Sequence, residues 1–281
     1  MATTDSLVEL ALPLPVSVYL ITLNEASNLQ RLLPQLALFS EVVIVDSGSS
    51  DATLEVARGF ANVKLFHRDW SGFSDQKNHA LALCSQEWVL NLDADEELTA
   101  EYLAQLRQVL ESGAYDALRT RRKLLRWGRA SRSFYKDDRL IRFFRKQCGH
   151  YPAARVHEQL VVQGRIAEAN VHFLHHENLT FTQRIRKSNQ YSELKAQDKF
   201  AQGKRVGALH VVLIFPLRLL QSYLGKGCFL DGVDGVLTSM NVAWYHFMQY
   251  AKLWELAKLQ RLQREYASGA AADTAQSSSH H

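Results

Sequence analysis

Two carboxylates one residue apart, Asp93 and Asp95, close the apolar run from Glu87 to Leu92. The run reads as a buried strand, where ionised groups are costly unless something positive lies between them. A divalent cation carrying a diphosphate meets that need. Mg²⁺ or Mn²⁺ takes oxygen ligands, and Mg²⁺ is usually held by one or two carboxylates plus substrate phosphates. An Asp-x-Asp pair also occurs in solvated turns, so its surroundings decide. A second candidate is Asp46-Ser47-Gly48-Ser49-Ser50-Asp51, placed between a strand and a helix. Gly48 permits a tight turn, and small hydroxyl residues let backbone approach a ligand. Asp46 suits hydrogen bonds from a base or ribose, and Asp51 suits the cap of the next helix. A capping turn without any ligand fits the same residues.

Basic residues concentrate further on. Residues 119–146 hold twelve Lys or Arg and two acids, Asp137 and Asp138. A polyanionic substrate or an anionic membrane suits that stretch, and so does a solvated basic face. Arg139 and Arg142 alternate with apolar residues, and their guanidinium groups can fork onto phosphate oxygens or pair structurally. His172, His175 and His176 cluster after a strand.

These residues need a scaffold that brings them together. Apolar runs at 16–22, 42–45, 63–66 and 87–92 alternate with helical segments at 27–36, 53–60 and 74–84, the first capped by Ser27. Such alternation predicts a mostly parallel central sheet flanked by helices. Ligands of such sheets bind beyond the carboxyl ends of the strands, so Asn24, Asp46 and Asp93 converge on one edge. A helix over 99–112 follows, then short strands at 117–122, 139–144, 160–162 and 171–175. From residue 179 the pattern turns helical. Residues 207–260 mix aromatic and basic residues, as an interfacial helix or a packing surface would.

The ordered trio Thr22-Leu23-Asn24-Glu25, Asp46 to Asp51 and Leu92-Asp93-Ala94-Asp95-Glu96 resembles inverting family 2 glycosyltransferases of GT-A fold. Gln76-Lys77-Asn78, Arg139 with Arg142, Val156-His157-Glu158 and Gly232-x-Asp234-Gly235 are similar to the branch containing lipopolysaccharide core glucosyltransferases, which add glucose to an inner-core heptose. The resemblance implies a UDP-hexose donor, a lipid-anchored oligosaccharide acceptor, and Mg²⁺ or Mn²⁺ as cofactor. It places Thr22, Asn24, Glu25, Asp46, Ser47, Gly48, Lys77, Asp93 and Ala94 at the nucleotide, and Arg139 and Arg142 at a phosphorylated acceptor. Asp95, helped by Asp93 and His175, would hold the metal. Inversion needs a base for the acceptor hydroxyl. Glu158 is the choice, with His157 as alternative base or positioning group, and Asp137 and Asp138 as weaker competitors. Polyprenyl phosphate or protein as acceptor, a nucleotidyltransferase, and a non-catalytic sugar- or lipid-binding protein are the other readings.

The rest of the chain bounds these expectations. Its 281 residues allow a catalytic α/β domain over 1–178, a helical extension over 179–266 and a disordered tail over 267–281. Net charge of +4 is too small to imply nucleic acid. Three scattered cysteines read as reduced thiols. No signal peptide and no uninterrupted membrane-length apolar stretch is visible. The expected location is cytoplasmic, peripheral on the inner face of the bacterial inner membrane; oligomeric state is left open.

Overall fold

The structure, a computed structural model, describes residues 13–134, 139–152 and 160–278. The chain divides into two compact units, one over residues 1–131 and 136–178 and one over 132–135 and 179–281.

The first unit is built on a nine-stranded sheet. Strands β1 (Leu14–Thr22), β2 (Phe39–Asp46), β3 (Val63–His67) and β4 (Trp88–Asn91) form a parallel half in the order β3-β2-β1-β4. Helices α1 (Ala26–Leu36), α2 (Thr53–Arg58) and α3 (Phe73–Leu83) make the crossovers. The inner strands read as nearly continuous Val, Ile and Leu because both faces are covered. One core cluster packs Val18, Leu20 and Ile44 against Leu29, Leu33 and Tyr102. The other packs Tyr19, Val43 and Val89 against Ala80 and Leu81.

Beyond β4 the sheet becomes mixed. β5 (Glu96–Leu98) leads into α4 (Ala100–Ser112), and then come β6 (Ala117–Arg126), the short β7 (Arg129–Ala130), β8 (Arg139–Arg145) and β11 (Ile166–His176). β8 runs antiparallel to both β4 and β6, while β11 is parallel to β6 and antiparallel to β5. β9 (Gly149–His150) and β10 (Val161–Val162) pair separately. The expected central sheet flanked by helices is thus parallel throughout its first half and mixed beyond β4, where β6 and β11 are the parallel pair. Its later strands reach their neighbours through reversals that hydrophobic alternation alone does not reveal.

The second unit contains α5 (Phe181–Ala201), α6 (Ala208–Leu220) and α7 (Gly232–Ser278). Thr180 and Gln183 form a reciprocal capping box at the start of α5. α7 continues to Ser278 through much of the expected disordered tail, where Ala, a strong helix former, is abundant. Residues Ala208–Gly225 are helical, and by length and composition that helix is apolar enough to cross a membrane, which the expectation of no such segment missed. The reason is that single Arg and Gln residues interrupt the run without lowering its average much. Cys84, Cys148 and Cys228 are free thiols.

Candidate active site

The register places the expected residues on one edge. Thr22 pairs with Asp46 across β1 and β2, Asp46 with His67 across β2 and β3, and Tyr19 with Asn91 across β1 and β4. The loops after β1, β2 and β4 therefore leave the sheet side by side.

The Asp46 loop is built by its own residues. The Asp46 carboxylate accepts from Gly48 N at 2.9 Å, Ser49 N at 2.8 Å, Ser49 Oγ at 2.5 Å and Thr22 Oγ1 at 2.9 Å. Burial alone would raise this carboxyl, and the Ser49, Thr22 and Gly48 donors reverse that, holding it below its ordinary value. With both oxygens hydrogen-bonded and the residue buried, Asp46 braces the loop that follows it. Gly48 sits at φ 96°, a conformation that L side chains rarely adopt. Asn24, at φ 57°, brackets the loop from the other side: its Oδ1 accepts from Ser50 N at 2.8 Å and Asp51 N at 3.3 Å. Glu25 occupies the N-cap position of α1, one residue before Ala26, so Ser27 is inside the helix. The Glu25 carboxylate accepts from Asn28. Gln76, fully buried, donates from Nε2 to Ser47 Oγ at 2.9 Å and so ties α3 to the loop. Beside it, Asp46, Gly48, Leu54, Arg58, Phe66 and His67 line a shallow recess.

The acidic turn holds the densest charge. Asp93 Oδ1 accepts from Lys77 Nζ at 3.1 Å and Oδ2 from Arg142 Nη2 at 2.8 Å. Burial would raise the Asp93 carboxyl, but Lys77 and Arg142 drive it far below the usual range. Lys77, which the resemblance places at the nucleotide, is buried. Arg142 also binds Asn91 Oδ1 at 2.8 Å and the fully buried Glu96. Burial pushes the Glu96 carboxyl up, whereas Arg142 keeps its charge because Glu96 and Asp93 outweigh the cost of its own burial. A bulge aims Arg142: pairing between β6 and β8 steps from Leu118↔Phe143 to Arg119↔Ile141, leaving residue 142 as the extra one. Arg139 lies elsewhere, in an exposed ion pair with Glu168 that Arg119 shares. Structural pairing is the alternative that its sequence context offered beside a phosphate contact.

Asp95 differs from Asp93. Its Oδ1 lies 3.3 Å from His175 Nδ1, and both are buried atoms without a hydrogen-bond partner. The contact follows from the pairing of His175 with Glu96 and from the bond between His176 N and Asp95 O at 2.8 Å. His176 itself binds Glu97 at 2.6 Å. A carboxylate oxygen and an imidazole nitrogen left facing each other form a donor set that fits a divalent cation. Among the described residues no three His, Cys, Asp or Glu side chains gather as a protein-only cage.

Sequence reading missed the support behind this turn. Asn78 grips the backbone of Tyr151, accepting from its N at 2.9 Å and donating to its O at 2.7 Å. The Tyr151 hydroxyl meets Tyr19 and Asn91. Asn78 stood within the motif around Lys77, but nothing local marked its partner. Glu158, His157, Asp137 and Asp138 lie outside the described residues.

A glycine-kinked loop and an acidic turn at the carboxyl ends of parallel strands define an α/β enzyme with its ligand edge where such sheets bind ligands. The chain belongs to the family described as glycosyl transferase family 2, which residues 17–157 match, and it is a glycosyltransferase of GT-A architecture. It is 31% identical to the lipopolysaccharide core biosynthesis glycosyltransferase LpsC of Rhizobium meliloti, over 86% of this chain and 93% of that protein. An uncharacterized glycosyltransferase of Rickettsia typhi is 29% identical over 86% of this chain and 87% of its own length. Among solved structures, S. aureus TarS in complex with UDP-GlcNAc aligns over 80% of this chain and 90% of that chain, with 16% identity and a TM-score of 0.47.

Proposed function

We propose that the protein is a metal-dependent, inverting hexosyltransferase that moves glucose from UDP-glucose onto a heptose of a lipopolysaccharide inner core. The observation that carries the metal-dependent donor site is the bare Asp95–His175 pair beside an Asp93 already neutralised by Lys77 and Arg142. Two acids, Asp93 and Glu96, face two bases, Lys77 and Arg142, so those four charges cancel. The carboxylate left over is Asp95. Asp95 and His175 would hold the cation, and Asp93 would serve as the anchor that fixes the turn. A bound divalent ion supplies Lewis-acid stabilisation of charge on the departing diphosphate.

The recess beside Gly48 and His67 receives the base or ribose, with Thr22, Asn24 and Ser47 setting its rim. Acceptor identity is supported by the name of the Rhizobium relative. The tip of the β6–β7 hairpin suits that acceptor: Trp127 is exposed there at φ 49°, next to the exposed Arg129. An aromatic face and a guanidinium together match a sugar ring bearing phosphate. Glu158 takes the acceptor proton, on a segment whose entry at Tyr151 is clamped by Asn78. The working location is the cytoplasmic face of the inner membrane, where such an acceptor is anchored.

Calorimetric titration of the whole chain with UDP-glucose, GDP-mannose and other donors, with and without Mn²⁺, tests the donor. UDP-glucose should bind in a Mn²⁺-dependent manner, and Asp95→Asn should lose that dependence. Equal affinity with and without the ion in both proteins removes the cation from Asp95. Transfer to a heptose-terminated core oligosaccharide, read by mass spectrometry as one added hexose, tests the acceptor.

A further inference from the structure

We propose that α6 lies in the plane of an anionic lipid bilayer, with its outer face in the boundary between headgroups and acyl chains. Leu209, Val212, Leu213, Leu217, Leu220 and Leu224 recur at three- and four-residue intervals from Ala208 to Gly225 and are 44–72% exposed. That spacing is one stripe of a helix. The opposite side is already occupied: Ile214 is buried, Phe215 meets Trp244 edge-on at 6.4 Å, and the His210 ring lies 4.4 Å from Tyr250 of α7. The stripe runs on into Leu230, in the short turn before α7, and Val233, at the start of α7, both exposed.

Charge identifies the occupant. Residues 199–230 contain five Lys or Arg and no acid. Lys204 and Arg205 precede the stripe, and Arg218 and Lys226 stand near its far end. Basic residues flanking an apolar helix face are drawn to anionic headgroups while the face enters the acyl boundary. A protein partner is a poorer match, because binding hot spots favour Trp, Tyr and Arg over Leu and Val, and this stripe offers no polar group to pair. A span is a poorer match too. At 1.5 Å per residue the 18-residue helix is about 27 Å long, near a hydrocarbon thickness. Its inner side, however, packs on α7, which carries Gln249, Lys252 and Glu255. Placing those groups at a bilayer centre is costly. The surface is independent of the donor site, so either reading can fail alone.

Flotation of the whole chain with phosphatidylglycerol–phosphatidylethanolamine vesicles, against phosphatidylcholine vesicles, tests the proposal. Recovery with the anionic vesicles should exceed that with the neutral ones by about tenfold at low salt and shrink at high salt. Val212→Asp combined with Leu217→Asp should abolish flotation while leaving UDP binding and the melting temperature unchanged. Lys204→Glu with Lys226→Glu, which keeps the apolar face, should abolish the preference for anionic vesicles. Undiminished flotation of the aspartate variant overturns the proposal. So does a wild-type dimer that the aspartates dissociate without any lipid binding, which gives the face to a second copy. Resistance to alkaline extraction from cell membranes assigns a span instead.

Discussion

Arg142 decides what the acidic turn can do. The sequence left it between a fork for substrate phosphate and a structural pair, and its donors reach Asn91, Asp93 and Glu96. The ambiguity has a physical source. A guanidinium suits phosphate and carboxylate alike, and Glu96 reads as one more acid in an acidic turn until its complete burial is seen. The same blindness hid Tyr151 and Asn91, whose partners are remote in sequence. Asp95 stood out by its chemistry and His175 only through the family resemblance, and their approach to 3.3 Å comes from the pairing of β5 with β11. Removing Arg142 leaves a buried carboxylate unpaired. Arg142→Ala should therefore cost about 3–5 kcal/mol in urea unfolding at neutral pH, part of it relieved as Glu96 takes up a proton. Arg142→Lys should recover only a fraction, since one ammonium cannot span three acceptors in the geometry of a fork. A loss below about 1 kcal/mol for the alanine variant would mean the network carries no net stability.

Elements were easier to read than the contacts between them. The helices and strands of the parallel half were visible because buried strands are continuous apolar runs and the helices carry leucines at helical spacing. The antiparallel return of β8 was not visible, nor was the bulge that turns residue 142 inward, because register depends on partners rather than on local pattern. In the helical unit, a buried histidine gives an element-scale test. His246 of α7 is shifted down to about 4 by burial, reinforced by Arg218 of α6 and Lys199 of α5. The folded chain thus binds fewer protons at this site than the unfolded chain between the ordinary value of 6.5 and about 4. Stability must therefore fall as pH drops through that window, and this loss must level off below it. Melting temperatures at pH 7 and pH 5 should show the decline for the wild type and a shallower one for His246→Gln. Identical slopes would place the acid sensitivity elsewhere.

At the scale of the whole molecule, ligand and fold are linked by mass action. The candidate ligand edge is assembled from loops after β1, β2 and β4 and from side chains on α3, β8 and β11, so no single element carries it. A ligand that needs all of them binds only the folded chain and stabilises it by RT ln(1 + [L]/Kd), about 2.7 kcal/mol at a hundredfold excess over Kd. For a chain of this size that corresponds to a rise of several degrees, at roughly 2–4 °C per kcal/mol. The split between Asp93, charge-satisfied by Lys77 and Arg142, and Asp95, whose Oδ1 has no hydrogen-bond partner, makes a sharper demand. UDP with Mn²⁺ should raise the melting temperature together, each should do little alone, and EDTA should erase the combined shift. Asp95→Asn should erase it as well, while the ligand-free protein keeps the wild-type melting temperature, because Asp95 Oδ1 makes no hydrogen bond to be lost. A full shift with UDP alone would show that Lys77 and Arg142 neutralise the diphosphate themselves, and the turn would then act without a metal.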